Sequence, residues 1–505
     1  MSRITVDIDL NRVEGDLEFQ VDLEDGVVVD ARCVGTLYRG FEQIMIGRAP
    51  RDALVITPRV CGICGTAHLY AATLALEQIA HITPPAHAVQ VRNLCLMAET
   101  LQSDLRQSFL FFTPDFCNAI YAAHPLAAEL RDAFTPLKGS VVRGTLKATR
   151  DVLGIVALFG GQWPHSTYML PGGISQPANS RRILDSRGIL AAVRAWFEQA
   201  VIGGRLEEWM ALDSADALFR WQAAAAGRER SALGLFNRFS RDIGLHRLGR
   251  GTGHLLSYGV NPQPLSEARE LPAGFFNADT QQIETLDQSQ INEHVRHSWF
   301  LDYPGGRHPW EGETIPDHQP GSDRYTWAKA PRYGDKVVQT GPLAELHIAG
   351  EPLISDLLAR EGDNTWLRQF ARLRRAGWLI GAMSETLQAI KASMDQPHYI
   401  DPGIDIWPDG ESYGLVEAAR GGLGHWLRIR NGVIDKYQIV TPTAWNASPR
   451  DSAGRHGHWE QSIIGLPVPD PANPVDIGHI VRSHDPCLVC TVHFIGSQRK
   501  THFNV

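Results

Sequence analysis

The chain lacks most of the features that would place it outside the soluble globular proteins. Its 505 residues contain no apolar stretch of about 18 residues or more that could cross a bilayer as a helix. The opening Met1-Ser2-Arg3-Ile4-Thr5-Val6-Asp7 has no apolar segment of the kind a signal peptide needs, so no export address is expected. Positive charge is in deficit: 48 Lys and Arg against 56 Asp and Glu give a net charge of −8, with no long basic run to hold a nucleic acid. There is no internal repeat and no low-complexity tail. Cysteine is scarce and odd in number, seven in all, which argues against a disulfide scaffold. The hydrophobic fraction of 43% and charged fraction of 21% are those of a chain able to bury a large core.

Four of the seven cysteines form two pairs near opposite ends. They are Cys61-Gly62-Ile63-Cys64, followed by His68, and Cys487-Leu488-Val489-Cys490, followed by His493. Four thiolates suit soft or borderline metals such as Zn, Ni, Cu(I) and Fe. They can share one centre only if the fold brings the two ends together. A structural zinc site is the competing reading, but its two pairs usually lie within a few tens of residues. Cys33, Cys95 and Cys117 are read as free thiols, mostly buried.

Period-two alternation at Ile4, Val6, Ile8, then Leu17, Phe19, Val21, then Val27 and Val29 predicts short antiparallel strands. Helical spacing predicts helices over Val89–Phe112, Val141–Phe159, Leu190–Leu212 and Trp366–Met394, the last with a capping start at Asp363-Asn364. Between about 250 and 345 the pattern weakens into turns rich in Pro, Gly, His and Trp. Asn431-Gly432 between apolar runs predicts a hairpin. The expected fold is α+β and mainly helical, a central long-helix bundle with N- and C-terminal strands closing around a buried metal site. Residues 1–493 are expected to form one intertwined domain, and 494–505 an extension.

The strings around the cysteines carry a resemblance. Leu37-Tyr38-Arg39-Gly40-Phe41-Glu42, Gly47-Arg48-Ala49-Pro50-Arg51-Asp52-Ala53, Arg59-Val60 and Asp485-Pro486-Cys487 are similar to the two signature motifs of the large, catalytic subunit of nickel–iron hydrogenases. Arg12-Val13-Glu14-Gly15, Pro331-Arg332-Tyr333, Gly341-Pro342-Leu343 and Trp445-Asn446-Ala447-Ser448-Pro449-Arg450-Asp451 extend it over essentially the whole chain.

The resemblance implies reversible heterolytic oxidation of H2, in the uptake direction, at a Ni–Fe centre whose iron carries CN⁻ and CO. It casts Cys61 and Cys487 as terminal nickel ligands, and Cys64 and Cys490 as bridges to iron. Cys487 is then the proton-accepting base, and His68 tunes a bridging sulfur. Glu14 passes protons onward; its competing reading is a turn carboxylate paired with Arg12. Asp16 stands where the family often has histidine. Arg420 matches an arginine suspended over the metals, with Asp104 and Asp485 as its carboxylates, although Ala419 replaces the family proline. Thr443 would donate to a cyanide. Glu42, His493 and the carbonyl of Ile439 match ligands of a magnesium, or iron, ion near the C-terminus; a Glu–His hydrogen bond without an ion is the alternative.

Three cysteines outside the pairs cannot supply several iron–sulfur clusters, so electrons are expected to leave through an iron–sulfur small subunit. The resemblance also implies nickel-insertion factors, a protease that removes the tail after His493, and a higher oligomer of heterodimers. The location implied is cytoplasmic, or membrane-associated through partners. An H2-sensing regulatory subunit is the alternative function. Sensors commonly have glutamine where His68 stands, and end near the last motif.

Overall fold

The computed structural model describes residues 3–9, 17–319 and 322–487. Three N-terminal strands, β1 (Arg3–Asp9), β2 (Leu17–Glu24) and β3 (Val27–Gly35), form an antiparallel sheet in sequential order. Alternation sends Phe19, Val21 and Leu23 to one face, where they are buried. Short strands of two to four residues are scattered through the middle of the chain. Those that bear on the site are β4 (Leu255–Ser257), β5 (Ile291–His294) and β6 (Ala330–Tyr333). A second antiparallel sheet joins β7 (Gly410–Ala418), β8 (Gly421–Arg430) and β9 (Val433–Val440). The β8–β9 turn is the predicted hairpin: Asn431 and Gly432 have φ of 51° and 74°, the left-handed pair that a tight two-residue turn demands.

The helices are α1 (Gly65–Ala80), α2 (Ala86–Arg106), α3 (Ser140–Gly160), α4 (Ser180–Trp196), α5 (Pro342–Ile348), α6 (Thr365–Ala392), α7 (His458–Ile463) and α8 (Val475–Ser483). The long ones, α2, α3, α4 and α6, pack on one another as the expected bundle, and α1 lies across β7. A side chain at Gly414 of β7 would collide with the Ala71 carbonyl of α1, so that crossing needs a glycine.

Three predicted boundaries move, each for a local reason. The helix expected over Leu190–Leu212 starts at Ser180, because the Asn179 side chain accepts from Arg182 N at 2.9 Å. It stops at left-handed Gly203 (φ 66°), and Leu206–Met210 is a separate turn. The helix expected from Val89 begins at Ala86 and widens over Gln107–Phe112 ahead of Pro114. The segment just ahead of Cys487 is helix α8, and the strands of the C-terminal part are β7–β9. With Trp459 and Ile463 of α7, Ile477, Ile480 and Val481 of α8 cover the buried face of the N-terminal sheet. The two ends of the chain therefore share one apolar core, which is how Cys487 comes to stand beside Cys61 and Cys64.

The metal centre and its surroundings

Cys61 and Cys64 lie on a tight loop that ends where α1 begins. The amides of Ile63 and Cys64 both donate to Cys61 Sγ at 3.4 Å, a local arrangement that favours thiolate. Cys487 follows α8 after a left-handed turn at Asp485 (φ 60°), an unfavourable backbone for a non-glycine residue of the kind kept at functional sites. Its amide donates to Thr443 Oγ1 at 3.2 Å. Its sulfur stands 3.6 Å from that of Cys61, 426 positions away. The Sγ atoms of Cys61, Cys64 and Cys487 lie within 4.8 Å of one another and all three residues are buried. This sulfur-only set with no carboxylate suits a soft or borderline metal and not a hard cation. Cys33 and Cys95 are buried free thiols as expected, while Cys117 is only half-buried.

His68 lies one helical turn beyond Cys64, which places both on the same side of the start of α1. Its Nδ1 is 3.0 Å from His425 Nε2, and His425 Nδ1 is 2.8 Å from the Tyr437 hydroxyl. Burial pushes Tyr437 up, so it keeps its proton, and burial pulls His425 well down, so that ring is neutral. A hydroxyl donating to His425 Nδ1 makes His425 Nε2 the donor to His68 Nδ1. The other proton of His68 is then on Nε2, which has no partner among the described residues. Burial lowers His68 to about 4, with Cys61 opposing the fall and Arg39 adding to it. It is a neutral imidazole whose tautomer is fixed by the hydrogen-bonded ring and hydroxyl behind it.

Arg420, at the turn between β7 and β8, is buried with its Nε 3.2 Å from Asp485 Oδ1 and 3.2 Å from the Asp485 carbonyl. Burial alone would lower its pKa, but Asp485 and then the sulfurs of Cys487, Cys64 and Cys61 raise it well above the ordinary value. Its charge therefore faces the thiols. The expected fork from Arg420 to both Asp104 and Asp485 is not what forms. Asp104 is taken by Arg375 (2.9 and 2.6 Å) and Arg372 (3.1 Å) of α6, and Arg372 also reaches Asp485 at 3.3 Å. The reason is proximity: α6 packs on α2 and delivers two guanidiniums to Asp104 before Arg420 can reach it. Both also donate to the Ala419 carbonyl, so the canopy is joined through the residue next to Arg420.

Glu42 sits beside Ile439, whose amide donates to its Oε1 at 2.9 Å. Lys329 Nζ lies 3.2 Å from Glu42, 2.7 Å from Glu293 Oε2 and 2.7 Å from Gln438 Oε1. Thr314 donates to Glu42 as well. Tyr38, Glu42, Glu293, Thr314, Lys329 and Ile439 line a cavity of about 60 Å³. Glu42 and the Ile439 carbonyl offer oxygen of the kind a hard cation takes, but Phe41, Val60, Phe300 and Trp327 complete the lining and Lys329 already balances the charge of Glu42 and Glu293. Thr443 is buried, its oxygen accepts from Cys487 N, and its own proton meets no acceptor among the described residues. Glu14, Cys490, His493 and the segment 494–505 lie outside the described residues.

Several residues of the site are missed by reasoning from the sequence. By periodicity, Arg372 and Arg375 are simply part of an amphipathic helix. The available signal is Arg368, Arg372 and Arg375 at helical spacing in a segment otherwise apolar, a stripe that points inward. His425 and Tyr437 sit on neighbouring strands and give no motif. Glu99 of α2 accepts from Thr66 N (3.0 Å), Ala67 N (3.2 Å) and Trp163 Nε1 (3.0 Å), so it fixes the first turn of α1 beside Cys64. Burial pushes its carboxyl up to about 7 against those hydrogen bonds. Arg332, in the Pro-Arg-Tyr string, is fully buried and bound to Asp451 (3.1 Å) and Ser448 (3.0 Å), so two of the resembling strings meet as architecture.

A centre of this geometry, on this fold, falls within a known class of enzyme. The sequence model of the family described as nickel-dependent hydrogenase matches residues 39–136 and 237–493. The chain belongs to that family, oxidoreductases that act on H2. It is 31% identical to the periplasmic [NiFeSe] hydrogenase large subunit of Desulfomicrobium baculatum, over 98% of this chain and 96% of that one. It is 29% identical to the uptake hydrogenase large subunit of Rhodobacter capsulatus, over 98% and 96%. The H2-activated [NiFeSe]-hydrogenase structure from Dm. baculatum superposes with a TM-score of 0.83 at 30% identity, covering 97% of this chain and 100% of that chain. The reduced Ni-Fe-Se hydrogenase of D. vulgaris Hildenborough gives 0.81 at 29%, with the same coverage. The chain is thus a large subunit of a nickel-dependent hydrogenase. No helix among the described residues is long and apolar enough to cross a membrane.

Proposed function

We propose that this chain is the catalytic subunit of an uptake enzyme, oxidising H2 to two protons and two electrons at a nickel–iron centre. Cys61 and Cys487 would hold nickel alone, and Cys64 and Cys490 would hold nickel and iron together. The observation that carries the reading is the meeting of three buried thiols from positions 61, 64 and 487. When bound, the bimetallic group supplies the place where H2 is polarised and from which electrons depart.

The chain's own groups handle the proton. Cys487 Sγ accepts it, and Glu14 carries it toward solvent, which requires a carboxyl able both to take and to release. Arg420, anchored by Asp485, fixes a positive charge over the centre, and Asp104 acts on it through Arg372. His68 offers Nε2–H to sulfur. The Thr443 hydroxyl would donate to a cyanide on an iron that would also carry CO. Glu42, the Ile439 carbonyl and His493 would hold a magnesium ion, or iron.

Electrons pass to the iron–sulfur clusters of the small subunit. Nickel-insertion factors load the site in a precursor, and a protease then trims 494–505 from the domain 1–493. Heterodimers associate further, in the cytoplasm or at a membrane reached through partners. An intact mass of the active enzyme that still ends at Val505 would remove the trimming step.

Metal analysis with infrared spectroscopy is the direct test. Nickel and iron together, with bands from CN⁻ and CO, support the assignment; zinc alone rejects it. In Cys487→Ser, H2 oxidation should drop by about 10²–10⁴-fold, the span for losing a general acid–base group. Turnover near the wild-type rate in a metal-loaded variant would refute the role of Cys487. An H2-sensing subunit would carry the same bands with only trace turnover.

A further inference from the structure

Helix α1 begins at the proposed metal site, and the residue at its cap position is Cys64. A cap side chain ordinarily accepts from the backbone N–H of the second or third residue of the helix, here Thr66 and Ala67. The Cys64 side chain makes no capping hydrogen bond. Both amides go instead to Glu99 of α2, Thr66 N to Oε2 at 3.0 Å and Ala67 N to Oε1 at 3.2 Å. Trp163 Nε1 gives Oε2 a further donor at 3.0 Å. Glu99 is 1% exposed and stands 33 positions from Thr66, so the cap of α1 is delivered by another helix.

A thiolate that accepts from the positive end of a helix is stabilised as a charge and weakened as an electron donor. Thr66 N and Ala67 N would have that effect on Cys64 if they turned to its sulfur. The loop ahead of α1 does just this for Cys61, whose Sγ accepts from the amides of Ile63 and Cys64 at 3.4 Å each. The two thiols of one pair therefore stand in different settings. The loop sends its amides to Cys61, while the second and third amides of the helix pass Cys64 and reach Glu99. A carboxylate suits that task. Both of its oxygens meet N–H donors, which favour the ionised form against the burial that lifts the group to about 7. Among the described residues these dipoles, rather than an ion pair, meet its charge. Its field thus reaches the start of α1 without a cation in contact to cancel it.

We infer that Glu99 is a positioning residue for the metal centre: it caps α1 in place of Cys64 and so keeps that sulfur a strong donor to the metals. The donor half rests on the proposed bridging role of Cys64. The capping half does not, and the two are read by different measurements.

Glu99→Gln keeps the shape and removes the charge, and its NH2 leaves at least one of the three N–H groups without an acceptor. At about pH 8.5, well above the ordinary carboxylate range, the metal-loaded variant should show CN⁻ and CO bands at higher frequency than wild type. Less electron density then reaches the iron, with nickel and iron content unchanged. Bands that stay in place or move to lower frequency overturn the donor half. Bands missing from wild type itself would instead be a failure of the nickel–iron assignment. Amide hydrogen exchange reads the cap in whatever metal state the variant is isolated, against wild type in the same state. In Glu99→Ala, the amides of Thr66 and Ala67 should exchange about 5-fold or more faster, the scale of losing a helix cap. Equal protection in the two proteins would show that α1 does not depend on Glu99, and would remove the inference whatever the bands do.

Discussion

The canopy and the Lys329 cluster are both buried charge assemblies within reach of the proposed metal sites, yet they are built on opposite principles. In the canopy, three guanidiniums are held by Asp104, Asp485 and Glu345, with Arg375 forked onto Asp104 and Arg372 bridging Asp104 to Asp485. Planar donors fix direction, so the canopy orients charge. In the cluster, one ammonium sits among Glu42, Glu293, Gln438 and Thr314. A lysine is a point charge on a flexible stem, so this cluster balances charge without fixing a direction. Replacement by a residue of equal charge should therefore damage the canopy and spare the cluster, while removal of charge should damage the cluster most.

The largest effect is expected from Lys329→Met. Glu42 and Glu293 lose their cation in a buried site, at a cost of about 3–5 kcal/mol, read as a fall in the denaturant midpoint. Lys329→Arg should recover most of it; a stable Met variant would mean that the ammonium is dispensable. Next is Arg420→Lys, which keeps charge and loses the planar contact to Asp485. Activity should fall by about 10²–10³-fold, the scale of removing one preorganised donor, with nickel and iron retained. Unchanged kinetics would erase the distinction between the two assemblies.

A pH dependence should separate them further. Burial pushes Glu293 up to about 7, with Glu42 adding to the rise and Lys329 opposing it. A carboxyl raised above its unfolded value of 4.5 stabilises the fold while protonated. Stability should therefore fall as pH rises from about 4.5 through 7, by about 1.4 kcal/mol for each pH unit within that window. Glu293→Gln should flatten that slope in denaturation curves measured at about pH 5 and pH 8, either side of most of the titration. An equal slope in the variant would place the titration elsewhere. The smallest effect is Asn364→Ala. Its side chain accepts from Leu367 N at 2.8 Å and caps the helix that carries Arg368, Arg372 and Arg375. Loss should cost about 1 kcal/mol while leaving kcat alone. A large kcat change would show that the canopy depends on the end of its helix.

What can be read from the chain follows from how local the signal is. Strand alternation in 3–35, the long helices and the Asn-Gly hairpin are local periodicities, and each lies close to where the pattern puts it. The cysteine pairs are legible because their spacing and flanks are distinctive. The partners of Asp104 are not. Arg372 and Arg375 on a helix read as a solvated face until the carboxylates of positions 104, 345 and 485 are folded against them, and no local pattern announces pairing across 271 positions. The fixing of the His68 tautomer is hidden for the same reason, since His425 lies 357 positions away.

The separation of Cys61 from Cys487 by 426 positions also sets a clock. At about 5–20 residues per second, the first pair leaves the ribosome roughly 20–90 s before the second is made. Through that interval the nascent chain offers two thiols that its own fold cannot yet complete. A centre that needs thiolates from both pairs can be completed only after synthesis, so on the proposed ligand set the first pair would need protection from oxidation and from the wrong ion while translation is still running.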